Sequence, residues 1–349
     1  MLRPIHSIWT LIFYFLFYFT GVRDSCAQDE EKDSRFFIDN LIDQWFRRQQ
    51  DSTYIDNYTN ELSLRLIGVT KQHFFQIHDR NTDALVRYQP EAKVSAGMGI
   101  TYKWFSLDVT FQVGIPRDDV ESSKAFDFQG RVFGLKQYVE LAYKYYFGYQ
   151  INKTNNLSNV LPDSLLRRED IRTSYINLEY MYAFNYGRFS FKAPFFYNEI
   201  QKKNAGSFVA GASFVSYLLD GDKAILPEEA WLDFNPNLTF QSLNLASLSI
   251  QFGYMYSIVI ARNFYITLGL IPGVTLSAGD YKVNNRESIA LQPSIKIKTM
   301  NSIGYNSRRF YAGVQFEGDL SRARIEKKEN VGIAHGKGKL FIGYRFKKK

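Results

Sequence analysis

The stretch Phe105-Ser-Leu-Asp-Val-Thr-Phe-Gln-Val-Gly-Ile115 alternates without a break. In an extended chain, successive side chains point to opposite faces. Phe105, Leu107, Val109, Phe111, Val113 and Ile115 therefore share one face. Ser106, Asp108, Thr110, Gln112 and Gly114 share the other. One face suits hydrocarbon and the other water. A tilted strand crosses a bilayer in roughly 9–11 residues, which is the length of this stretch. The pattern recurs from Val94 to Trp104, from Ile176 to Phe184 and from Leu248 to Ile258.

Working outward, candidate strands fall at 61–67, 92–104, 105–115, 124–133, 137–149, 172–184, 188–198, 206–218, 247–260, 263–275, 288–300, 308–319 and 337–346. Open strand edges cannot face lipid, so the sheet must close. The expected fold is all-β, a closed antiparallel transmembrane β-barrel of about 12–14 strands. Such barrels have an even strand count, which makes Trp231–Phe240 a candidate fourteenth strand. Dropping weak candidates such as 61–67 gives twelve. Short turns near Trp104–Phe105, Asn185–Gly187 and Ala261–Asn263 are expected at the periplasmic end. Longer links near 79–91, 150–171, 276–287 and 320–336 are expected outside the cell.

Composition agrees. Aromatic residues make up 17% of the chain, with 24 Tyr and 30 Phe. Membrane barrels carry aromatic girdles at both interfaces. The net charge is +8 and the pI about 9.2, with a mean hydropathy of −0.27. Lys and Arg are spread over loops, strand interiors and the Lys347-Lys348-Lys349 tail, with no basic stripe that reads as a nucleic-acid footprint. Anionic lipid headgroups are the simpler expected partner.

The first 27 residues read as a secretory signal, with Arg3, an apolar run from Ile8 to Phe19, and small residues Ser25 and Ala27 before cleavage. Cys26 is the only cysteine, so no disulfide can form within the chain. Residues 28–60 form a periplasmic segment. Phe37, Ile38, Leu41, Ile42, Trp45 and Phe46 are spaced for a short amphipathic helix after Ser34. The barrel takes residues 61–346 and a basic tail 347–349. Alternation in Lys339–Phe346 places an aromatic near the end of the last strand, a feature suited to reading by the barrel-insertion machinery.

The run Tyr186-Gly-Arg-Phe-Ser-Phe191, followed by Gln201-Lys-Lys-Asn-Ala-Gly-Ser207, resembles domain-of-unknown-function family 4421. Tyr54-Ile55, Tyr88-Gln-Pro90, the Gly97–Trp104 strand, Gly253-Tyr254 and Gly304-Tyr305-Asn306 support the resemblance, which spans roughly residues 50–346. Asn204 stands where a small hydroxyl residue is expected. The family is similar to outer-membrane barrels of Bacteroidetes-type bacteria. The resemblance implies no activity and no catalytic residues.

Strand parity assigns lumen-facing candidates: Asp108, Gln112, Glu140, Lys144, Glu179, Arg188, Lys192, Lys296, Lys298 and Glu317. Asn177, Gln251, Gln315, Lys339 and Arg345 join them. Two readings stand. Rings of charge select solutes in a pore, or ion pairs fill a narrow barrel. The 199–207 link is either a tight hairpin or an inward-folded loop. In the second case Gln201, Lys202 and Lys203 constrict the pore or hold lipopolysaccharide phosphates.

A lipid-modifying enzyme needs a nucleophile, a base and an orienting group. His73, His78 and His335 are the histidines beyond the signal, and ring closure brings His78 and His335 near each other, with Ser321 as a conceivable partner. No cofactor and no metal-ligand spacing is apparent. Asp220, Asp222, Glu228 and Glu229 form an acidic turn rather than a calcium loop. A pore for small polar solutes ranks first, a structural or interaction barrel with a filled lumen second, and an enzyme third.

Overall fold

The computed structural model describes the backbone of residues 50–90, 94–113, 124–283, 286–324 and 329–347. The expected signal sequence and the amphipathic helix after Ser34 lie outside the described residues. Among the described residues there are fifteen strands: β1 (Ile55–Asn57), β2 (Leu62–Asp79), β3 (Ala84–Pro90), β4 (Val94–Tyr102), β5 (Phe105–Gln112), β6 (Lys124–Phe133), β7 (Gln137–Asn155), β8 (Arg167–Ala183), β9 (Glu199–Gln201), β10 (Ala205–Asp220), β11 (Ser242–Ile260), β12 (Phe264–Lys282), β13 (Arg286–Asn306), β14 (Phe310–Arg324) and β15 (Glu329–Phe346). One short helix, α1 (Lys192–Phe195), lies between β8 and β9.

Every neighbouring pair in the large sheet is antiparallel, and β15 pairs with β2 from Phe346↔Leu62 to Glu329↔Asp79. That pairing closes the ring. The closure is a physical necessity, because an unpaired backbone edge in hydrocarbon has no water to bond.

The ring changes size along its axis. Near the short turns it runs β2-β4-β5-β6-β7-β8-β10-β11-β12-β13-β14-β15 and back to β2, twelve strands. At the other end β3 pairs with both β2 and β7. β3 and β4 lie along the same edge of β2, at 75–79 and 63–70 respectively. The β5–β6 hairpin is therefore a wedge inserted at the turn end only, and ten strands form the wall beyond it. The expected link at 79–91 is mostly this extra strand.

The strands are also longer than a membrane requires. β7, β11 and β12 have 19 residues each and β13 has 21, against roughly 9–11 for a crossing. Outward side chains show where the membrane sits. On β11, Leu248, Ile250, Phe252, Tyr254 and Tyr256 are exposed and apolar. Beyond Leu248 the outward side chain of Asn244 donates to Asp280 of β12. On β8 and just past its end, Leu178, Tyr180 and Phe184 are exposed, but Arg172, toward the other end of β8, pairs with Asp220 and Asp222. An apolar belt thus surrounds the turn-end half, and a polar collar projects beyond it. Edge-to-face aromatic pairs rim the belt at the turn end, including Phe264–Tyr305, Phe310–Tyr344 and Tyr344–Phe346.

Two expected strands are not strands. Residues 188–198 leave the wall and fold into the barrel as an irregular segment containing α1. Pro194 lacks the N–H a central strand needs, and Phe189, Phe191, Phe195 and Phe196 are all buried. Residues 231–240 form parts of two 3-10 turns, Glu228–Asp233 and Pro236–Leu238. Asn235 accepts a hydrogen bond from the Asn237 N–H, and Pro236 starts the second turn. The barrel is twelve-stranded at the membrane, and 61–67 belongs to β2.

The tight β11–β12 turn uses positive φ at both Ala261 and Arg262, as hairpin twist demands. Higher up, the β11–β12 ladder skips Phe252–Gly253 and Ile271–Pro272. A Cβ on Gly253 would lie 2.2 Å from the Leu270 carbonyl oxygen. Overpacking of this kind costs about 1–3 kcal/mol. Gly253→Ala is therefore expected to lower the urea midpoint of the refolded barrel measured by heat-modifiable gel migration, whereas Ala246→Gly, on the same strand, is expected to leave it nearly unchanged.

Candidate functional site

The ring encloses a volume that is filled in three layers. At the turn end the 185–204 segment enters the lumen. Phe189, Phe191, Phe195 and Phe196 pack against Phe133, Tyr138, Met181, Met255, Ile271 and Met300 of the wall. Its charged groups are partnered, although Tyr197 Oη and Asn198 Oδ1 are buried without a hydrogen bond. Lys192 sits 3.3 Å from Glu199, and Ser190 Oγ donates to Glu199 at 2.6 Å. Asn306 Nδ2 donates to the Ala193 and Glu199 carbonyls, and Gln315 Nε2 to the Pro194 carbonyl at 2.6 Å. Arg345, fully buried, donates to the Tyr197 carbonyl at 2.6 Å and to Asn306. β9 of this segment pairs with β1. Aromatic mass carries the segment inward, and buried charge is tolerated there because each group is partnered.

At the far end a second apolar cluster fills the ten-stranded collar. Ile225, Leu226, Ala230, Phe234, Leu238 and Phe240 of the β10–β11 link fold down onto Phe75, Tyr88, Tyr149, Tyr217 and Tyr281. Tyr88 donates to the Ile225 carbonyl at 2.6 Å. Both mouths are thus occupied by packed side chains.

Between the two caps lies an ionic layer. Arg65 pairs with Asp108, which also receives Lys339 at 3.1 Å. Arg131 bridges Glu140 and Glu317. Lys298 meets Glu179 at 2.5 Å, and Lys296 meets Asp319 at 2.9 Å. Glu179 is completely buried and also accepts from Gln251 at 2.7 Å. A small cavity, about 70 Å³, opens within this layer. It is lined by His73, Asp127, Lys144, Tyr146, Tyr175, Asn177, Glu317, Asp319, His335 and Lys337, among others. His73 and His335 face each other through their Nδ1 atoms at 2.9 Å, and His73 stacks on Tyr146.

Seven of the lumen candidates converge here: Asp108, Glu140, Lys144, Glu179, Lys296, Lys298 and Glu317. The Gln112 side chain lies outside the described residues. Lys192 is in the lumen, but on the inserted segment rather than on a strand. Arg188 is exposed at the turn end, over the Tyr54 ring at 5.2 Å, and does not line the lumen. It was assigned inward on the parity of a strand that does not exist. Gln201 is buried and donates to the Arg188 and Lys203 carbonyls. Lys202 pairs with Asp56 at 2.8 Å, and Lys203 lies over Tyr54. The link is not a tight hairpin but the end of the inserted segment.

His335 meets His73 rather than His78, which pairs instead with Asp83 at the collar surface. The strands close as expected, but the register aligns His335 with His73. Arg65, Arg131, Asp319 and Lys337 were not singled out from sequence. Asp319 and Lys337 follow the inward parity of Glu317 and Lys339, whereas Arg65 and Arg131 lie on β2 and β6, where no lumen candidate was named.

The family model described as "Domain of unknown function (DUF4421)" matches residues 49–346. This chain belongs to that family. No curated protein matches it. Among solved structures it is similar to the outer membrane protease OmpT from Escherichia coli, at 6% identity and a TM-score of 0.37, covering 83% of this chain and 98% of that one. It is also similar to the outer-membrane-expressed OmpT of Vibrio cholerae, at 7% identity and 0.27, over 82% and 98%. A third likeness is to the toluene transporter TodX of Pseudomonas putida, at 9% and 0.25, over 83% and 90%. Overlaps this loose say nothing about activity.

The ionic layer makes a definite energetic prediction. Removing one partner of a buried pair strands the other charge and costs about 3–5 kcal/mol, whereas replacing both by apolar groups is often neutral. Glu179→Leu is expected to destabilise strongly, and Glu179→Leu/Lys298→Met to recover most of the loss in urea unfolding of the refolded protein.

Proposed function

We propose that this protein is a closed, non-conducting barrel of a bacterial outer membrane, a structural or interaction platform rather than a pore. The observation that carries this reading is the filling of both mouths. The turn-end mouth holds Phe189, Phe191, Phe195 and Phe196, and the far mouth holds the 225–240 link. Most charges of the ionic layer between them are paired, and its main cavity is small, about 70 Å³. A path for polar solutes would have to displace packed aromatic side chains at two levels.

The outward projection supports the platform reading. The ten-stranded collar has its own apolar core and carries strand backbone well past the apolar belt. Its tip exposes Val160, Trp231 and Leu232, with Leu232 at 88%. Such residues lie off the belt and in reach of other molecules at the cell surface. The expected partners remain outer-membrane lipids with lipopolysaccharide around the belt and the insertion machinery during assembly.

The test is single-channel recording of the refolded protein in planar bilayers, with insertion verified by protease protection. A folded, inserted and silent barrel is expected. Stable conductance steps from the unmodified protein would overturn the closed-lumen reading.

A further inference from the structure

The cavity of the ionic layer holds polar groups that the protein itself does not satisfy. His73 Nε2, His335 Nε2 and Asn177 Oδ1 are buried and have no hydrogen-bond partner, and all three residues line the cavity. Buried polar atoms rarely stay unpaired. The charges are also unequal. Among the described residues Asp108, Glu140, Glu179, Glu317 and Asp319 each have a lysine or arginine within 4 Å. Lys144 and Lys337, both lining the cavity, have no carboxylate that close. Lys337 donates to the neutral Gln129 side chain at 2.6 Å, and Lys144 lies over the Tyr175 ring at 5.2 Å. Asp127, the register partner of Lys144, also lines the cavity, so among the described residues the layer holds seven lysines and arginines against six carboxylates; the one positive charge in excess calls for a singly charged anion.

We propose that this cavity binds a single protonated phosphate group, either inorganic dihydrogen phosphate or a phosphomonoester headgroup. Its volume of about 70 Å³ admits a few waters or one tetrahedral oxyanion. Oxygens of the phosphate accept from Lys144 and Lys337, as charge-assisted bonds. The remaining P–OH donates, which is what the Asn177 carbonyl oxygen lacks. The histidine pair fits the same ligand. With one proton shared between the two Nδ1 atoms, one Nε2 is a donor and the other an acceptor. A fully ionised oxyanion such as sulfate has no hydroxyl to give.

The β5–β6 ladder is short beside the cavity. β5 and β6 pair only from Phe105↔Val132 to Thr110↔Asp127. Past that point Phe111 and Gln112 stay with β4, while Lys124, Ala125 and Phe126 stay with β7. Among the described residues the β5–β6 pairing thus ends at the head of the wedge, and Thr110, Asp127 and Phe128 of that place line the cavity.

The experiment measures binding to the full-length protein purified from membranes. Inorganic phosphate and sulfate are titrated by calorimetry, and phosphatidic acid in neutral-lipid nanodiscs is scored by native mass spectrometry. Lys144→Gln/Lys337→Gln is compared with Lys282→Gln, an exposed lysine of the collar. Heat-modifiable migration establishes folding of each variant. Phosphate binding at least tenfold tighter than sulfate, lost at least tenfold in the double variant and kept in Lys282→Gln, supports the proposal with a free ion as ligand. The same variant pattern for phosphatidic acid alone supports it with a lipid headgroup.

Binding of neither, or equal binding by the double variant, overturns it and leaves the cavity to water. Equal affinity for sulfate overturns the protonated-phosphate assignment. Should the double variant not fold, Lys144→Gln and Lys337→Gln are used singly, and each must weaken binding. Conductance is read separately, so a silent barrel that binds no phosphate refutes this proposal while leaving the closed lumen intact.

Discussion

Closing the backbone ladder between β15 and β2 is the interaction on which everything else depends. In hydrocarbon no water is available to an open strand edge, so every wall strand must have two neighbours. Eighteen residues of β15 take part, from Glu329 to Phe346. Once closed, a twelve-stranded ring has a fixed interior, and that interior must be filled, wet or occupied. The protein fills most of it. The two ends use apolar packing, and the middle uses charge.

That division has a physical logic. Outward side chains in the belt face lipid, so their inward neighbours alternate with them and come out polar. A narrow polar interior holding many charges is stable only when they are matched, because an isolated charge in a low-dielectric space is costly. Arg131 between Glu140 and Glu317, and Asp108 between Arg65 and Lys339, are the local solutions. Beyond the belt the outside becomes polar and the inside apolar, as in any water-soluble β structure. The reversal is visible within single strands. On β11, Leu248 is outward and exposed, whereas Leu243 and Leu245 are inward and buried.

The reversal also explains what was legible in the sequence. Segments such as Phe105–Gln112 and Leu248–Ile258 announced their faces, because membrane strands keep one parity and one polarity. The closed all-β architecture followed from them. Strand extensions past the belt were missed because polarity switches faces there, so Tyr149–Asn155 and Leu243–Ala246 lose the outward-apolar signal. The 188–198 segment was misread for the opposite reason. Phe189 and Phe191 alternate like a strand, and Pro194 was the available sign against it. In the ionic layer, parity points Glu140, Lys298 and Glu317 to the inward face, where the structure has them. It did not choose their partners, which come from strands far apart in sequence. It failed for Arg188, which sits on no strand. The His73–His335 contact depended on register between the first and last long strands, which alternation alone does not set.

The central claim is that two segments outside the wall, 189–201 and 225–240, are packed parts of the barrel interior. Hydrogen–deuterium exchange of the protein in lipid nanodiscs tests it most directly, since amides in packed, hydrogen-bonded structure exchange only by opening. The account predicts slow exchange in both segments, comparable with the neighbouring strands β10 and β11. Exchange at the rate of exposed loops in either segment would show that mouth to be unfilled, and would contradict the closed barrel.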